Sequence, residues 1–219
     1  FLIKEKRSEI FYLCEKVLPS AQELLDSVLA ILKNNSKYKI YPDRVQRPDK
    51  EIIFLKEDNP IITAGRLIQE DLLILHWDDN FQEHILEGGV LCFPALWTLK
   101  EKINKPLSRI HKPVAHYNKK ITRSVQRMFN NLKVDKPIWR ANWYLYKDPE
   151  LFSPLSEKFS HTTEKEYFEG DFWVRVERQT LKRLPLTNAI LFGIHTYVVN
   201  KKQLTLKQIT SLKNYSLNK

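Results

Sequence analysis

Residues 172–197 read FWVRVERQTLKRLPLTNAILFGIHTY, and this stretch decides the fold because it predicts two neighbouring β-strands. In the first strand, the period-two rule puts Arg175, Glu177 and Gln179 on one face and valines on the other. The second strand is apolar at almost every position from 189 to 194, which predicts burial on both of its faces. The polar face of the first strand is therefore expected to be covered as well.

Further strand and helix patterns extend outward from this stretch. Short segments rich in Ile, Leu and Val predict strands: EIIFLK (51–56), GRLIQEDLLILHW (65–77), HILEGGVLCFPALW (84–97) and PIWRANWYLY (137–146). Apolar residues at helical spacing predict helices from Ser20, from Thr98, near 118–132 and weakly from Thr205. Residues 106–117, PLSRIHKPVAHY, are expected to form a loop bracketed by proline. Adjacent strands with helices before and between them predict an α+β domain with a mainly antiparallel sheet.

The composition is that of a packed globular protein, with 42% hydrophobic and 11% aromatic residues in a chain of 219. We expect one domain over residues 1–200 that includes an N-terminal helix. Five lysines and no acidic residue occupy the last nineteen positions, which predicts a basic helical tail over 201–219. Phe1 as the first residue suggests that the N-terminus is not complete.

Charge and cysteine content narrow the class of protein. The net charge of +10 fits nucleic acid, an anionic membrane, an acidic protein partner or an anionic cofactor. Cys14 and Cys92 lie in apolar surroundings, and the missing C-x-x-C and H-E-x-x-H motifs argue against zinc, iron–sulfur and covalent haem sites. No apolar run has the length of a membrane span and no signal peptide is visible, so we expect a cytoplasmic protein. Gly88 and Gly89 indicate a bulge or a close backbone approach rather than a nucleotide-binding loop.

Arginines cluster in the deciding stretch. Arg175, Arg178 and Arg183 have only Glu177 among them, so burial of this segment leaves a positive surplus. Arg140, in the strand candidate PIWRANW, adds another charge on the same side as an asparagine. Arginine binds carboxylate or phosphate through a planar fork. The residues alone leave two interpretations open, an anionic ligand or a structural ion-pair network.

One of the six histidines stands out as a candidate metal ligand. His111 lies in PLSRIHKPV, where Pro106 and Pro113 stiffen the backbone and can hold an imidazole in a fixed position. His116 is its local competitor. His195 lies on the apolar strand, where a hydrogen-bonded core histidine is the simpler interpretation.

Several blocks in a fixed order point to a known family. The sequences GRLIQEDLLIL, VLCFPALWTLKEKINKPLSRIHKPVAHY, PIWRANW and WVRVERQTLKRLPLTNAILFGIHTYV run from residue 65 to 198 and are rich in uncommon residues. They resemble the haem-dependent oxidative N-demethylase family. The resemblance implies a PAS-like fold, a non-covalent b-type haem, and oxidation of secondary amines such as dimethylamine with dioxygen to formaldehyde and the shorter amine. It also implies electrons from NADPH through separate flavin and iron–sulfur components, for which this chain has no motifs.

The resemblance also suggests roles for particular residues. His111, in the I-H-x-P-V block, becomes the candidate proximal iron ligand. The substrate ammonium needs an anion, for which a haem propionate is preferred and Glu177 is a weaker candidate. The family usually has arginine where this chain has His195, so the propionate contacts, the substrate or the residue that binds the iron can differ here. The candidates for contact with the haem propionates are Arg140, Arg175, Arg178, Arg183 and His195.

Two rival functions remain at this point. PAS-like folds also serve as sensors, so a haem-binding or gas-binding sensor without turnover is the first. The second is a non-haem module that binds anions or nucleic acid through the basic surplus. We favour the enzyme, with a small secondary amine, dioxygen and separate reductase subunits as its partners and with neither nucleic acid nor membrane among them.

Overall fold

The structure is a computed structural model that describes residues 2–113, 117–156 and 170–217. Its helices are α1 (Leu2–Glu5), α2 (Arg7–Ile10), α3 (Leu18–Leu32), α4 (Pro60–Leu67), α5 (Leu99–Lys102), α6 (Leu107–Ile110), α7 (Lys119–Asn130) and α8 (Leu206–Leu217), with short 3-10 turns at Glu15–Val17 and Lys201–Gln203. Its strands are β1 (Phe11–Leu13), β2 (Lys39–Ile40), β3 (Arg44–Gln46), β4 (Ile52–Phe54), β5 (Asp71–Asp78), β6 (Glu83–Val90), β7 (Ile138–Tyr146), β8 (Trp173–Arg183) and β9 (Ile190–Asn200). No helix among these described residues is long and apolar enough to cross a membrane.

Six strands form one antiparallel sheet in the order β1-β6-β5-β9-β8-β7. Its longest pairing is the hairpin of β8 and β9, which pairs along its whole length and closes where Arg183 faces Ile190. The carboxylate of Glu23, on α3, accepts hydrogen bonds from the backbone N–H groups of Leu186 and Thr187 and so fixes the turn of this hairpin. Strands β2, β3 and β4 form a separate small antiparallel sheet. The predicted α+β class with an antiparallel sheet is confirmed.

Helices cover both faces of the large sheet. We call the side that carries Asp71, Arg175, Glu177, Gln179 and Arg183 the α7 face, because apolar residues of α5, α6 and α7 pack on it. We call the opposite side, which carries Arg178 and His195, the α8 face; α3 and α4 cover one part of it, and α8 covers another. The long strands are thus sandwiched, which explains why the polar side chains of Arg175 and Glu177 are buried.

Most of the predicted elements are present. The helix predicted from Ser20 is α3, the helix near 118–132 is α7, and the tail helix is α8. The predicted strands in PIWRANWYLY, FWVRVERQTLKRL and NAILFGIHTYVV are β7, β8 and β9. The division at residue 200 into a domain and a tail stays a prediction.

Two local predictions were wrong. Residues 65–67 do not begin a strand but end α4, because Asn59 accepts a hydrogen bond from the N–H of Ile61 and Pro60 occupies the first helical turn. The expected loop at 106–117 contains the short helix α6, which begins directly after Pro106. In both places an apolar or proline-rich run hid a short helix, because helices of eight and four residues are too short to show a clear periodicity.

The glycine pair in β6 is both a bulge site and a close approach, as predicted. The pairing of β5 with β6 shifts register after Ile74, which leaves Glu87 as the extra residue. A Cβ atom on Gly88 would lie 2.4 Å from Cδ1 of Leu13, and one on Gly89 would lie 2.5 Å from Cδ2 of Leu73. Glycine at both positions lets β1 and β5 pack against β6.

Candidate functional site

The sheet separates the predicted site residues into two groups. Register pairs Arg140 with Gln179, so Arg140 shares the α7 face with Arg175, Glu177 and Arg183. Arg178 pairs with His195 on the α8 face. The arginine cluster of the sequence is therefore not a single cluster in space, because consecutive residues of a strand point to opposite sides.

Arg175 is a buried organiser of the α7 face, with 1% of its surface exposed. Its guanidinium donates to the carbonyl of Phe93 and, at 3.0 Å, to the carbonyl of Leu151. Its Nε lies 3.5 Å from Oε1 of Glu177. The guanidinium of Arg175 thus joins the segments around Phe93 and Leu151, which are distant in sequence. Arg175 therefore holds these two segments in place at the α7 face.

Two buried carboxylates accompany this arginine. Glu177 accepts a hydrogen bond at 3.1 Å from Nε2 of Gln179. Asp71, at the start of β5, accepts from the backbone N–H groups of Cys92 and Phe93. Burial raises the pKa of Asp71 to about 7, although both backbone donors and the charge of Arg175 act in the opposite direction. The two carboxylates outnumber the single buried guanidinium, which favours a cationic group nearby.

Buried polar atoms without partners surround these charges. Among the described residues, Oδ2 of Asp71, Oδ1 of Asn142 and Oγ1 of Thr196 are buried and have no hydrogen-bond partner. Asn142 and Thr196 both pair with Glu177 in the sheet register, so all of them lie on the α7 face. Buried polar groups are normally satisfied, and a local group of unsatisfied ones fits a face that receives a polar ligand.

Arg140 and Arg183 lie at different places on the same face. The side chain of Arg140 is exposed, and its Nε donates at 2.9 Å to Oε1 of Gln179, which leaves its terminal nitrogens available. Arg183 donates at 2.7 Å to the carbonyl of Phe129 and at 2.8 Å to the carbonyl of Leu132. Arg183 thus binds the carbonyl groups at the C-terminal end of α7, where a cation is favoured by the helix dipole.

The α8 face holds the other two predicted residues. Nη2 of Arg178 lies 3.2 Å from Oε1 of Glu70, and Nδ1 of His195 lies 3.9 Å from the same atom. A Cβ atom at Gly193 would approach Oε2 of Glu70 to 2.9 Å, so this glycine makes room for the carboxylate. The ring of His195 also packs on Tyr197. A cofactor on the α7 face would not contact this group.

His111 has the geometry of a neutral imidazole ligand. It ends α6, and its Nδ1 lies 2.9 Å from the carbonyl of Leu107, which makes Nδ1 the donor and leaves a lone pair on Nε2. Tyr117 stacks on the ring at 4.5 Å, above its plane, and does not cover the in-plane lone pair. Burial lowers the pKa of His111, and the charges of Lys102 and Arg140 lower it further. Leu107 and Ile110 of α6 pack in the same apolar cluster as Ile190 and Ile194 of β9, so His111 follows a helix that lies on the α7 face.

Of the other histidines, two lie outside the described residues and others form hydrogen bonds with neighbouring side chains. His116, the predicted competitor, and His161 lie outside the described residues. Nδ1 of His84 lies 2.8 Å from Oε1 of Gln126. Among residues 2–113, 117–156 and 170–217, no three His, Cys, Asp or Glu side chains are arranged to hold a metal ion.

The two cysteines, Cys14 and Cys92, are free thiols. Both are half-buried, although the apolar residues around them in the sequence predict burial.

A second polar group lies away from the α7 face site. Oγ of Ser20 is 2.9 Å from Nε2 of His76, and Nδ1 of His76 is 3.1 Å from Oε2 of Glu87. His76 also lines an open cavity of about 440 Å³ together with Trp77, His84, Asn130, Arg183, Thr187 and Asn188. The order serine, histidine, carboxylate is that of a hydrolase triad. Ser20 is only 2% exposed, however, so this group ties α3 to the bulge of β6 rather than presenting a nucleophile.

Sequence reasoning missed Asp71, Thr196 and Glu70. An aspartate that opens an otherwise apolar strand, DLLILHW, was the available signal for Asp71. Thr196 is three residues from Gly193 and gives no pattern of its own.

The site thus consists of a half-buried imidazole with one free nitrogen beside a sheet face that carries buried charges and unsatisfied polar atoms. The family model for the haem-dependent oxidative N-demethylase, alpha subunit-like, matches residues 2–213. That match covers nearly the whole chain, and its haem dependence agrees with an imidazole donor such as that of His111. The chain therefore belongs to the haem-dependent oxidative N-demethylase alpha subunit-like family.

Proposed function

We propose that this chain is the haem-binding subunit of an oxidative N-demethylase, with haem b against the α7 face and Nε2 of His111 as the axial ligand. The observation that carries the proposal is the hydrogen bond from Nδ1 of His111 to the carbonyl of Leu107. This bond fixes the tautomer and the ring orientation, which is how axial histidines are usually held. The low pKa of His111 keeps the imidazole neutral near pH 7.

The residues of the α7 face fit the polar parts of such a cofactor. Arg140 retains free terminal nitrogens and is the best placed of the four predicted arginines to bind a propionate. Arg175 and Arg183 have backbone carbonyl partners and act by shaping the site. Arg178 and His195 lie on the opposite face of the sheet. They could bind the propionates, as the resemblance suggests, only if the haem lay on the α8 face instead.

The substrate is proposed to be a small secondary amine such as dimethylamine, bound as its ammonium ion. Glu177 lies beside the unsatisfied oxygens of Asn142 and Thr196, which can accept N–H hydrogen bonds from the ammonium, and Asp71 adds a second negative charge when it ionises. A haem propionate is the alternative anion. Bound haem would supply the activation of dioxygen, so that the amine, dioxygen, two electrons and two protons give methylamine, formaldehyde and water.

The remaining assignments belong to this proposal as well. An antiparallel sheet with helices on both faces is compatible with the PAS-like architecture that the resemblance implies. Electrons are proposed to come from NADPH through separate flavin and iron–sulfur components, and the naming of the family as an alpha subunit implies other subunits. A cytoplasmic location remains a prediction from the sequence.

The test is haem reconstitution followed by a turnover assay. Protein supplied with haem should show a Soret band, and dimethylamine with dioxygen and a reductant should yield formaldehyde in proportion to the amine consumed. The variant His111→Ala should lose or shift the Soret band, and His195→Ala, a histidine on the other face, serves as the matched control. An unchanged spectrum in His111→Ala would show that another residue ligates the iron. A Soret band without formaldehyde would favour the sensor.

A further inference from the structure

The largest basic segment of this chain precedes the sheet strand β7, and the C-terminal tail is a second, smaller one. Residues 102–134 contain nine lysines and arginines and no aspartate or glutamate. The remainder of the chain has 27 basic residues against 26 acidic ones and is nearly neutral. The basic character of the protein is therefore a property of the α6 and α7 region more than of the C-terminal tail.

Helix α7 displays these charges on one surface. Its buried side, which includes Gln126 and Phe129, faces the sheet, and its exposed side carries Lys119, Lys120, Arg123 and Arg127. We call these four side chains, with the exposed Lys112 and Lys133 on either side of the helix, the basic surface. No carboxylate of the described residues forms an ion pair with any of the four cations on α7.

This arrangement is unfavourable for the helix itself. Residues 119, 123 and 127 follow each other at four-residue spacing, so their like charges repel along one row. Two lysines also occupy the first turn, where the helix dipole disfavours cations, and no acidic residue is present there to compensate. A helix that carries such a charge pattern without internal partners is suited to an external anionic one.

The basic surface lies next to the proposed haem ligand. The connection from α6 to α7 contains His111 and Lys112, and Val125 and Phe129 of α7 pack in the core that covers the α7 face. An electron donor bound at α7 would therefore be held close to the cofactor. The chain has no flavin-binding or iron–sulfur motif of its own, so its electrons must come from outside.

We infer that the basic surface is the docking site for the acidic face of a separate iron–sulfur electron-donor protein; the inference rests on the proposed function. Exposed apolar side chains favour a protein over a nucleic acid or a membrane. Ile121 is 38% exposed and Met128 is 40% exposed, and these two residues, seven apart in α7, lie together on the flank of the helix beside the cations. Methionine and arginine are enriched at protein interfaces, whereas binding to phosphates needs the charges alone.

The test uses an acidic [2Fe–2S] ferredoxin as the probe and the haem-loaded protein in anaerobic stopped-flow measurements. Reduction of the haem by reduced ferredoxin should be fast at low salt and slow steeply as salt is added. The double variant Arg123→Glu/Arg127→Glu should lower the second-order rate by at least about tenfold. Reduction by dithionite, which needs no docking surface, should be unchanged.

A matched charge reversal elsewhere provides the control. Lys37→Glu/Lys56→Glu changes the net charge equally at exposed positions away from α7 and should stay within about twofold of the wild-type rate. Ferredoxin binding by biolayer interferometry gives a readout that does not depend on haem. Equal effects of the two double variants, no binding by the wild type, or tighter binding of duplex DNA or anionic vesicles would overturn the inference. Failure to bind haem would overturn only the proposed function.

Discussion

At the scale of single residues, Asp71 and Arg175 hold the same segment of chain from opposite sides. Asp71 accepts from the N–H groups of Cys92 and Phe93, while Arg175 donates to the carbonyl of Phe93. The carboxylate remains buried with one oxygen unpartnered, so it carries a cost when it ionises. With its pKa raised to about 7 by burial, Asp71 changes its charge near neutral pH.

We predict that Asp71→Asn alters how stability depends on pH. The folded-state pKa of Asp71, about 7, is raised above the usual 3.8, so its stabilising contribution is complete below pH 4 and is lost as pH rises through 7. The variant cannot ionise and should gain stability relative to the wild type as pH rises from about 4 to about 7, with no further gain above that, where Asp71 is ionised in both the folded and the unfolded wild type. Urea unfolding across this range measures the difference in unfolding free energy. His76, His84 and His111, whose pKa values are lowered, are shared by both proteins and cancel in that difference. A difference that does not vary with pH would show that Asp71 is ionised throughout.

At the scale of elements, the glycine pair of β6 decides how closely three strands approach. Gly88 faces Leu13 of β1, and Gly89 pairs with Leu73 of β5. The bulge beside them turns Glu87 towards Lys16 and His76. The small residues and the bulge together let an edge strand, a central strand and α3 meet at one place.

Gly88→Ala should therefore destabilise the protein by about 1–3 kcal/mol, because its new methyl group would overlap Cδ1 of Leu13. Leu13→Ala alone removes a side chain that is only partly buried. In the double variant the methyl group enters the space that Leu13 leaves, so the combined loss should be smaller than the sum of the single losses. Thermal or urea unfolding of all four proteins gives the coupling energy. Additive losses would place the strain of Gly88→Ala in the backbone instead.

At the scale of the whole molecule, the two sides of the sheet have different tasks. The α7 face combines the candidate haem ligand, the buried charges and the basic surface. On the α8 face, α3 and α4 build the largest apolar core, and α8 adds a smaller cluster with Trp143, Leu145 and Leu212. The C-terminal helix is thus packed on the sheet, and it carries two lysines where α7, of the same length, carries two lysines and two arginines.

We expect Leu212→Ala to lower the unfolding free energy by about 1 kcal/mol, because its side chain packs on the cluster under α8. Leu206→Ala is the matched control, since Leu206 is 84% exposed and its loss should change little. Urea unfolding followed by tryptophan fluorescence reports the stability, and one of the five tryptophans, Trp143, contacts Tyr215 of α8. Equal, negligible effects of the two variants would mean that α8 does not stabilise the sheet in solution.

The sequence by itself determined the α+β class, the main helices, the three long strands and the alternation that puts Arg175 and Glu177 on one face. These are local properties, since period and capping depend only on near neighbours in the chain. Only the tertiary structure decided the partners of the arginines. Arg175 binds a carbonyl 82 residues away, and Arg178 binds a carboxylate 108 residues away on the opposite face. Such partners depend on which strands are neighbours in the sheet. The alternation of residues within one strand gives no information about its neighbours.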